Sequence, residues 1–239
     1  IGLPRSGSTL TETIISSGDN KIEDLGETNL VGWSLLNIHR GEFFQNLSDN
    51  SEIKIDTISI SKKLLNAYEN LNVPVKEKKV FFLDKSLENF HYIDLILKIF
   101  PNAKFIHTYR NLEDNIFAIY KEFLSQISWS HSIKDIILYI DNYLKIIENH
   151  TQKNKNSILS ISLEELTNNP KKIYKIIYKF CNLEWDEKCL DFSNRNILFS
   201  KTASNNQIRL GIQTYDKKKY EPYRFLIEDY KNNFNWLQS

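Results

Sequence analysis

Residues 2–9 read Gly-Leu-Pro-Arg-Ser-Gly-Ser-Thr, and an apolar helical pattern runs on from Leu10 to Ile15. A tight glycine turn opening into a helix aims several backbone N–H groups at one spot, where the helix dipole adds partial positive charge. The hydroxyls of Ser6, Ser8 and Thr9 add donors, and Arg5 adds a permanent cation with a forked donor face. Gly2 and Gly7 keep the backbone bare. Such residues can cradle a phosphate. The loop departs from the G-x-x-x-x-G-K-[ST] pattern of nucleoside triphosphatases, because no Lys follows Gly7 and no second loop glycine has the right spacing. An ordinary turn capping a helix is the alternative reading of the same residues.

A second segment has the same construction. An apolar strand from Lys104 to Tyr109 delivers Arg110-Asn111-Leu112-Glu113-Asp114, and a helical pattern follows through Phe117, Ile119, Tyr120 and Phe123. Anions bind well where a strand hands over to a helix. An Arg paired with a carboxylate in the first helical turn accounts for the segment equally well. Two arginine-bearing strand-to-helix turns in one chain point to a ligand with two separated phosphate-type groups.

These residues resemble a known family. Leu3 to Leu10 is similar to the 5′-phosphosulfate loop of sulfotransferases that use 3′-phosphoadenosine 5′-phosphosulfate (PAPS), and Arg110-Asn111-x-x-Asp114 resembles their 3′-phosphate motif. The details are closest to the protein-tyrosine sulfotransferases and to bacterial relatives associated with tetratricopeptide repeats. Gly26-Glu27-Thr28 resembles the segment carrying the catalytic glutamate, and Asp84-Lys85 the strand-end Asp-Lys pair. Phe100 to Ile106 resembles the lead into the 3′-phosphate motif, and Thr202 to Arg209 with Lys219, Tyr220 and Tyr223 the segment that covers the nucleotide.

The resemblance implies the following roles. Arg5, Ser6, Gly7, Ser8 and Thr9 hold the 5′-phosphate, and Arg110, Ser204, Arg209 and Lys219 hold the 3′-phosphate and nucleotide. Glu27 is general base for an acceptor hydroxyl, Lys85 a second cation near the transferred group, and Arg5 stabilises the leaving phosphate. PAPS is the co-substrate, no metal takes part, and the acceptor is a hydroxyl on a protein, glycan or small molecule. Family members often dimerise, which makes a homodimer the expectation. Three departures stand out. Ala118 replaces a serine eight residues after the arginine, Leu112 a proline and Leu163 a tyrosine. One lost hydroxyl contact to a charged phosphate costs about 1.5–3 kcal/mol if nothing replaces it. A nucleotide-dependent kinase and a silent nucleotide-binding module are the competing readings. Against the kinase stand the missing loop Lys and the lack of a magnesium-binding carboxylate after a strand.

The elements that must position these groups alternate between strand and helix, which favours a P-loop-like parallel sheet flanked by helices, an α/β fold with its first strand truncated. Helices are expected at about 8–17, 28–46, 62–71, 86–100 with Ser86 as its cap, 113–126, 133–148 and 170–181, and strands at 80–83, 104–109 and 158–161. Residues 17–25 read as a polar loop, and 217–237 as a mixed tail with a helical end. Ile136, Ile137, Ile140, Leu144 and Ile147 share core spacing. His107 lies in an apolar strand and reads as a core histidine rather than a base. His39, His91, His131 and His150 receive no role. Trp33 and Phe43 are candidates to line the acceptor site.

The 239 residues, 41% hydrophobic, suffice for a single domain over 1–239. A net charge of +1 gives no basic field for nucleic acid. Cys181 and Cys189 read as buried thiols, which favours a cytoplasmic setting, and their spacing fits no zinc pattern. No apolar run reaches the roughly 20 residues of a membrane span. The chain starts at Ile1 in mid-motif and has no methionine, so it reads as a piece of a longer product.

Overall fold

A computed structural model of the chain describes residues 1–18, 22–36, 56–72, 81–194 and 211–238. By its contacts the chain divides into two compact units, Ile1–Asp19 with Lys104–Ser239, and Asn20–Ala103. The expected α/β architecture is present as short parallel strand pairs with helices packed on them.

In the first unit, α1 (Ser8–Gly18) follows the glycine loop. β3 (Phe105–Tyr109) pairs in parallel with β4 (Ile158–Ser162), Phe105 facing Ile158 and Tyr109 facing Ser162. Residues 1–2 run along the other side of β3. Ile1 N donates to Ile106 O at 3.0 Å, and Thr108 N donates to Ile1 O at 3.0 Å. The glycine loop therefore leaves from a ladder beside the strand that delivers Arg110.

Three of the following helices start on a side-chain cap. Asn111 accepts from Asp114 N ahead of α4 (Leu112–Glu122), Ser132 from Asp135 N ahead of α5 (Ile133–Lys153), and Ser162 from Glu165 N ahead of α6 (Leu163–Asn168). These caps satisfy donors that have no carbonyl below them. Phe123, left-handed at φ 48°, ends α4 at Glu122, four residues earlier than the apolar pattern suggests. α5 buries Ile136, Ile137, Ile140, Tyr143 and Ile147, while Leu144, expected in the core, is half-buried beside Tyr143. α7 (Pro170–Phe180) buries Ile173, Tyr174, Ile177 and Tyr178. The Tyr178 hydroxyl donates to Ile14 O at 2.9 Å, so this helix grips α1, and any side chain on Gly18 would overlap the Tyr178 ring.

The second unit contains a strand that sequence patterning misses. Ile22–Gly26, within the expected polar loop, is β1 and pairs in parallel with β2 (Phe81–Asp84). Its residues Ile-Glu-Asp-Leu-Gly hold too little apolar alternation to announce a strand, and backbone pairing alone defines it. α2 (Thr57–Asn70) starts earlier than its apolar residues indicate, because Asp56 caps it by accepting from Ile58 N and Ser59 N. It buries Ile60, Leu64 and Tyr68, and Tyr68 packs with Phe82 and Phe100 at centroid distances of 4.9 and 6.2 Å.

Two further expectations are corrected here. Ser86 makes no side-chain cap, since its hydroxyl donates to Asp84 Oδ1 at 2.6 Å. The expected helix over 86–100 is a 3₁₀ turn at Leu87–Tyr92 followed by the short α3 (Ile93–Ile99). Residues 30–36 are helical as expected, and the remainder of that helix with Phe43 and His39 lies outside the described residues. The tail carries 3₁₀ turns at Glu221–Ile227 and Asn235–Leu237 around the short α8 (Glu228–Lys231).

Candidate active site

The glycine loop is built from backbone geometry first. Arg5 is left-handed at φ 65° and Gly7 sits at φ 99°, a region that side chains oppose. A Cβ on Gly7 would lie 2.8 Å from Leu163 Cδ1, so α6 presses directly on the loop. Thr11 N donates to Gly7 O at 3.1 Å, which sets the first turn of α1 immediately after the glycine. The amides at that helix start are the donors that suit an anion. Ser6 is fully buried, and its hydroxyl pairs with the Thr108 hydroxyl at 2.8 Å on β3. The Ser6 hydroxyl is thus engaged inside the protein. Ser8 and Thr9 are also buried. The Arg5 guanidinium, 10% exposed, pairs with Glu122 of α4 at 3.5 Å.

The second arginine turn lies against the first. Arg110 Nη1 donates to the carbonyl of Arg5 at 3.2 Å, and the amide of Asn115 donates to the carbonyl of Pro4 at 2.8 Å. Arg110 Nη2 donates to the Tyr215 hydroxyl at 3.0 Å, and that hydroxyl donates in turn to Asp114. The guanidinium carbon stands 5.0 Å from the Tyr215 ring centroid and 5.8 Å from that of Tyr220. Arg110 Nε is buried and has no hydrogen-bond partner among the described residues. A buried cationic N–H left unpaired is costly, and an anionic oxygen satisfies it. These residues fit a phosphate-bearing ligand. Ala118, 4% exposed, lies in the buried face of α4 and contributes no hydroxyl.

In the second unit the parallel register brings two charged residues together. A bulge between Asp24 and Gly26 aligns Gly26 with Asp84, and Lys85 N donates to Gly26 O at 2.8 Å. The residues just beyond, Glu27 and Lys85, form an ion pair. Lys85 is 4% exposed while the Glu27 side chain is 44% exposed, so the carboxylate faces solvent from a buried ammonium. Asp84 fixes the turn after Glu27. It accepts from Thr28 Oγ1 at 2.6 Å, Tyr68 OH at 2.8 Å and Ser86 N at 2.9 Å. Burial and the Asp84 charge push the Tyr68 phenol well above its ordinary range, so it remains a donor.

Residues 1–187 match the family model described as "Sulfotransferase family". The chain belongs to the sulfotransferase family. An uncharacterized protein of Aquifex aeolicus (strain VF5) is 26% identical to this sulfotransferase over 233 residues, covering 93% of this chain and 30% of that protein. The chain therefore spans about a third of that relative's length. The sulfotransferase domain of the Synechococcus PCC 7002 olefin synthase superposes with a TM-score of 0.63 at 19% identity, covering 92% of this chain and 85% of that domain. The sulfotransferase domain from the curacin biosynthetic pathway gives 0.60 at 14% identity, covering 89% and 82%. These two likenesses show the shared fold.

In the sulfotransferase, the two arginine turns lie side by side, and Lys85, expected as a cation near the transferred group, is ion-paired with Glu27. Ser204 and Arg209 lie outside the described residues. Lys219 is exposed, its ammonium 5.5 Å from the Tyr220 ring centroid. Tyr220 and Tyr223 pack on Phe117 of α4, at 6.0 and 6.4 Å between centroids, which makes the tail-packing role concrete. Trp33 is 59% exposed. His107 is a core residue as expected. Its Nδ1 pairs with Ser160 Oγ at 2.9 Å and its Nε2 with Tyr143 OH at 2.6 Å. Sequence reasoning passed over Asn115 and Tyr215. Asn115 directly follows the Arg110–Asp114 motif and, with Asp114, is a polar residue among the buried apolar positions of α4, a signal that was available. Tyr215 had none, since its partners lie a hundred residues away. Among the described residues no helix is long and apolar enough to cross a membrane.

Proposed function

We propose that this sulfotransferase takes its sulfuryl group from PAPS and passes it to a hydroxyl acceptor, with Glu27 as general base. The observation that carries the reading is the Arg110–Arg5 contact, 3.2 Å from guanidinium to carbonyl, which joins two phosphate-type turns. PAPS supplies a sulfuryl group on a phosphate leaving group and a second phosphate at the 3′ position. Arg5 and the amides from Ser6 to Thr9 hold the 5′-phosphate. Arg110, with Ser204, Arg209 and Lys219, holds the 3′-phosphate end. Glu27 takes the proton of the acceptor hydroxyl, a role worth typically about 10²–10⁴-fold. Lys85 orients that carboxylate through the ion pair and places a positive charge beside it. Positioning and electrostatics supply the remainder, as in phosphoryl transfer.

Incubation of the chain with ³⁵S-labelled PAPS and a panel of tyrosine peptides, glycans and small hydroxyl compounds tests the reading. Transfer that persists in a metal chelator supports it. Phosphate transfer from a nucleoside triphosphate that stops in the chelator would favour a kinase. Nucleotide binding without transfer to any hydroxyl class would favour a silent module.

A further inference from the structure

Tyr215 lies in the segment after residue 211, far in sequence from the two arginine turns, yet its hydroxyl sits between the cation of one turn and a buried carboxylate. It accepts from Arg110 Nη2 at 3.0 Å and donates to Asp114, which is 2% exposed on the first turn of α4. Asp114 is itself anchored, its amide donating to Asn111 Oδ1 at 3.0 Å and its Oδ1 standing 3.8 Å from Arg224. Burial and the bond to Asp114 raise the Tyr215 phenol above its ordinary range, so the hydroxyl keeps its proton. That proton is committed to Asp114. The Tyr215 hydroxyl therefore has no proton to give a ligand, and its hydrogen bonding acts on one through Arg110.

We propose that Tyr215 is a positioning residue that sets the Arg110 guanidinium for the 3′-phosphate of the nucleotide, an inference that rests on the PAPS reading above. An arginine side chain is costly to order, and a fork fixed beforehand loses less on binding. Here the Arg5 carbonyl holds Nη1, the Tyr215 hydroxyl holds Nη2 and the Tyr215 ring lies 5.0 Å from the guanidinium carbon. The second N–H on each Nη, and Nε, which has no partner among the described residues, are the donors this leaves for phosphate oxygen. Asp114, Tyr215 and Arg110 form a relay from a rigid helix start to the ligand-binding cation. It supplies by orientation some of what a serine at position 118 would have supplied by contact.

Calorimetry with 3′-phosphoadenosine 5′-phosphate and with adenosine 5′-phosphate tests this on the whole chain. Tyr215→Phe should bind the bisphosphate about tenfold more weakly, the scale of one hydrogen bond to a charged group, and leave the monophosphate unchanged. Arg110→Ala should erase the preference for the bisphosphate, and adding Tyr215→Phe to it should cost nothing more. In turnover, Tyr215→Phe should raise KM for PAPS and spare kcat, the pattern of lost uniform binding. Equal weakening of both nucleotides, a further loss in the Arg110→Ala background, or an unchanged bisphosphate affinity would overturn the relay. An Arg110→Ala chain that binds the bisphosphate as well as the parent instead overturns the assignment of Arg110 to the 3′-phosphate. Hydrogen exchange on the unaltered chain gives a readout free of folding artefacts. The bisphosphate should protect residues 211–223 more than the monophosphate does, and equal protection counts against the proposal.

Discussion

The side-chain amide of Asn115 donates to the main-chain carbonyl of Pro4 at 2.8 Å, out of contact with water. The next carbonyl, that of Arg5, accepts from Arg110. Two successive loop carbonyls are thus held by residues from the β3–α4 connection. Because a trans peptide is planar, the amides of Arg5 and Ser6 must point the opposite way from those carbonyls. Hydrogen bonds on the carbonyl side of the loop in this way decide where its amide donors aim.

Asn115→Ala should accordingly loosen the loop and destabilise the chain by about 1–3 kcal/mol, the cost of a buried carbonyl left unpaired. Asn115→Asp should be worse, because it sets a carboxylate against a carbonyl oxygen. Denaturant midpoints measure the stability loss, and weaker binding of 3′-phosphoadenosine 5′-phosphate would report the displaced amides. A stable Asn115→Ala chain with full affinity would show that the loop holds its shape without this bond.

Gly7 carries a second testable constraint, because two separate penalties meet there. The φ of 99° opposes any side chain, and a Cβ would lie 2.8 Å from Leu163 Cδ1. Gly7→Ala should cost roughly 1–3 kcal/mol from backbone strain alone, with the clash in addition. Leu163→Ala in that background should recover the clash and leave the strain. Partial recovery in a double-mutant cycle is the expected result. Full recovery would mean the backbone relaxes, and none would mean Leu163 does not bear on the loop.

Much of this architecture was legible in the residues, for identifiable reasons. α5 and α7 bury apolar faces at helical spacing, and β3 and β4 are short runs rich in apolar residues, so patterning exposes them. The glycine loop and Arg110 turn are short contiguous motifs, so both could be read from the residues, and the Arg110–Arg5 bond sets them side by side. What was illegible depends on partners distant in sequence. β1 exists through its ladder with β2 rather than through its own composition. Ser86 reads as a cap by position, yet its hydroxyl goes to Asp84. The commitment of the Ser6 hydroxyl to Thr108, and of Tyr215 to Asp114, required knowing which elements meet. Local chemistry was visible, and the competition for its donors was not.

Glu27→Gln should separate chemistry from binding. The amide matches the carboxylate in size but cannot accept the acceptor's proton. The turn itself is held by the Asp84 bonds to Thr28, Tyr68 and Ser86, which the change leaves alone. The expected outcome is a fall in kcat of about 10²–10⁴-fold with nucleotide affinity unchanged. Single-turnover transfer with labelled PAPS measures it. A Glu27→Gln chain within a few fold of the parent would remove Glu27 from the role of base.

His107 makes the fold sensitive to acid. Burial lowers its imidazole from 6.5 to about 3, and the neutral ring is held between Ser160 and Tyr143. Burial also drives the Tyr143 phenol far above its ordinary range, so no phenolate forms there to welcome an imidazolium. In the unfolded chain the histidine titrates near its ordinary value of about 6.5. Between about 6.5 and 3 the unfolded state binds a proton that the native state refuses, so stability falls as pH falls through that window. Above about 6.5 both states are neutral and the effect vanishes. The slope from one such proton approaches about 1.4 kcal/mol per pH unit. Carboxylates titrate in the same range, so the informative quantity is the difference from His107→Gln. That variant keeps a polar partner for Tyr143 and carries no titrating proton. It should lose stability at neutral pH, where packing suffers, and lose less than the parent between pH 6 and 4. Parallel stability curves for the two chains would mean that the native imidazole protonates in place, with Ser160 and Tyr143 accommodating its charge.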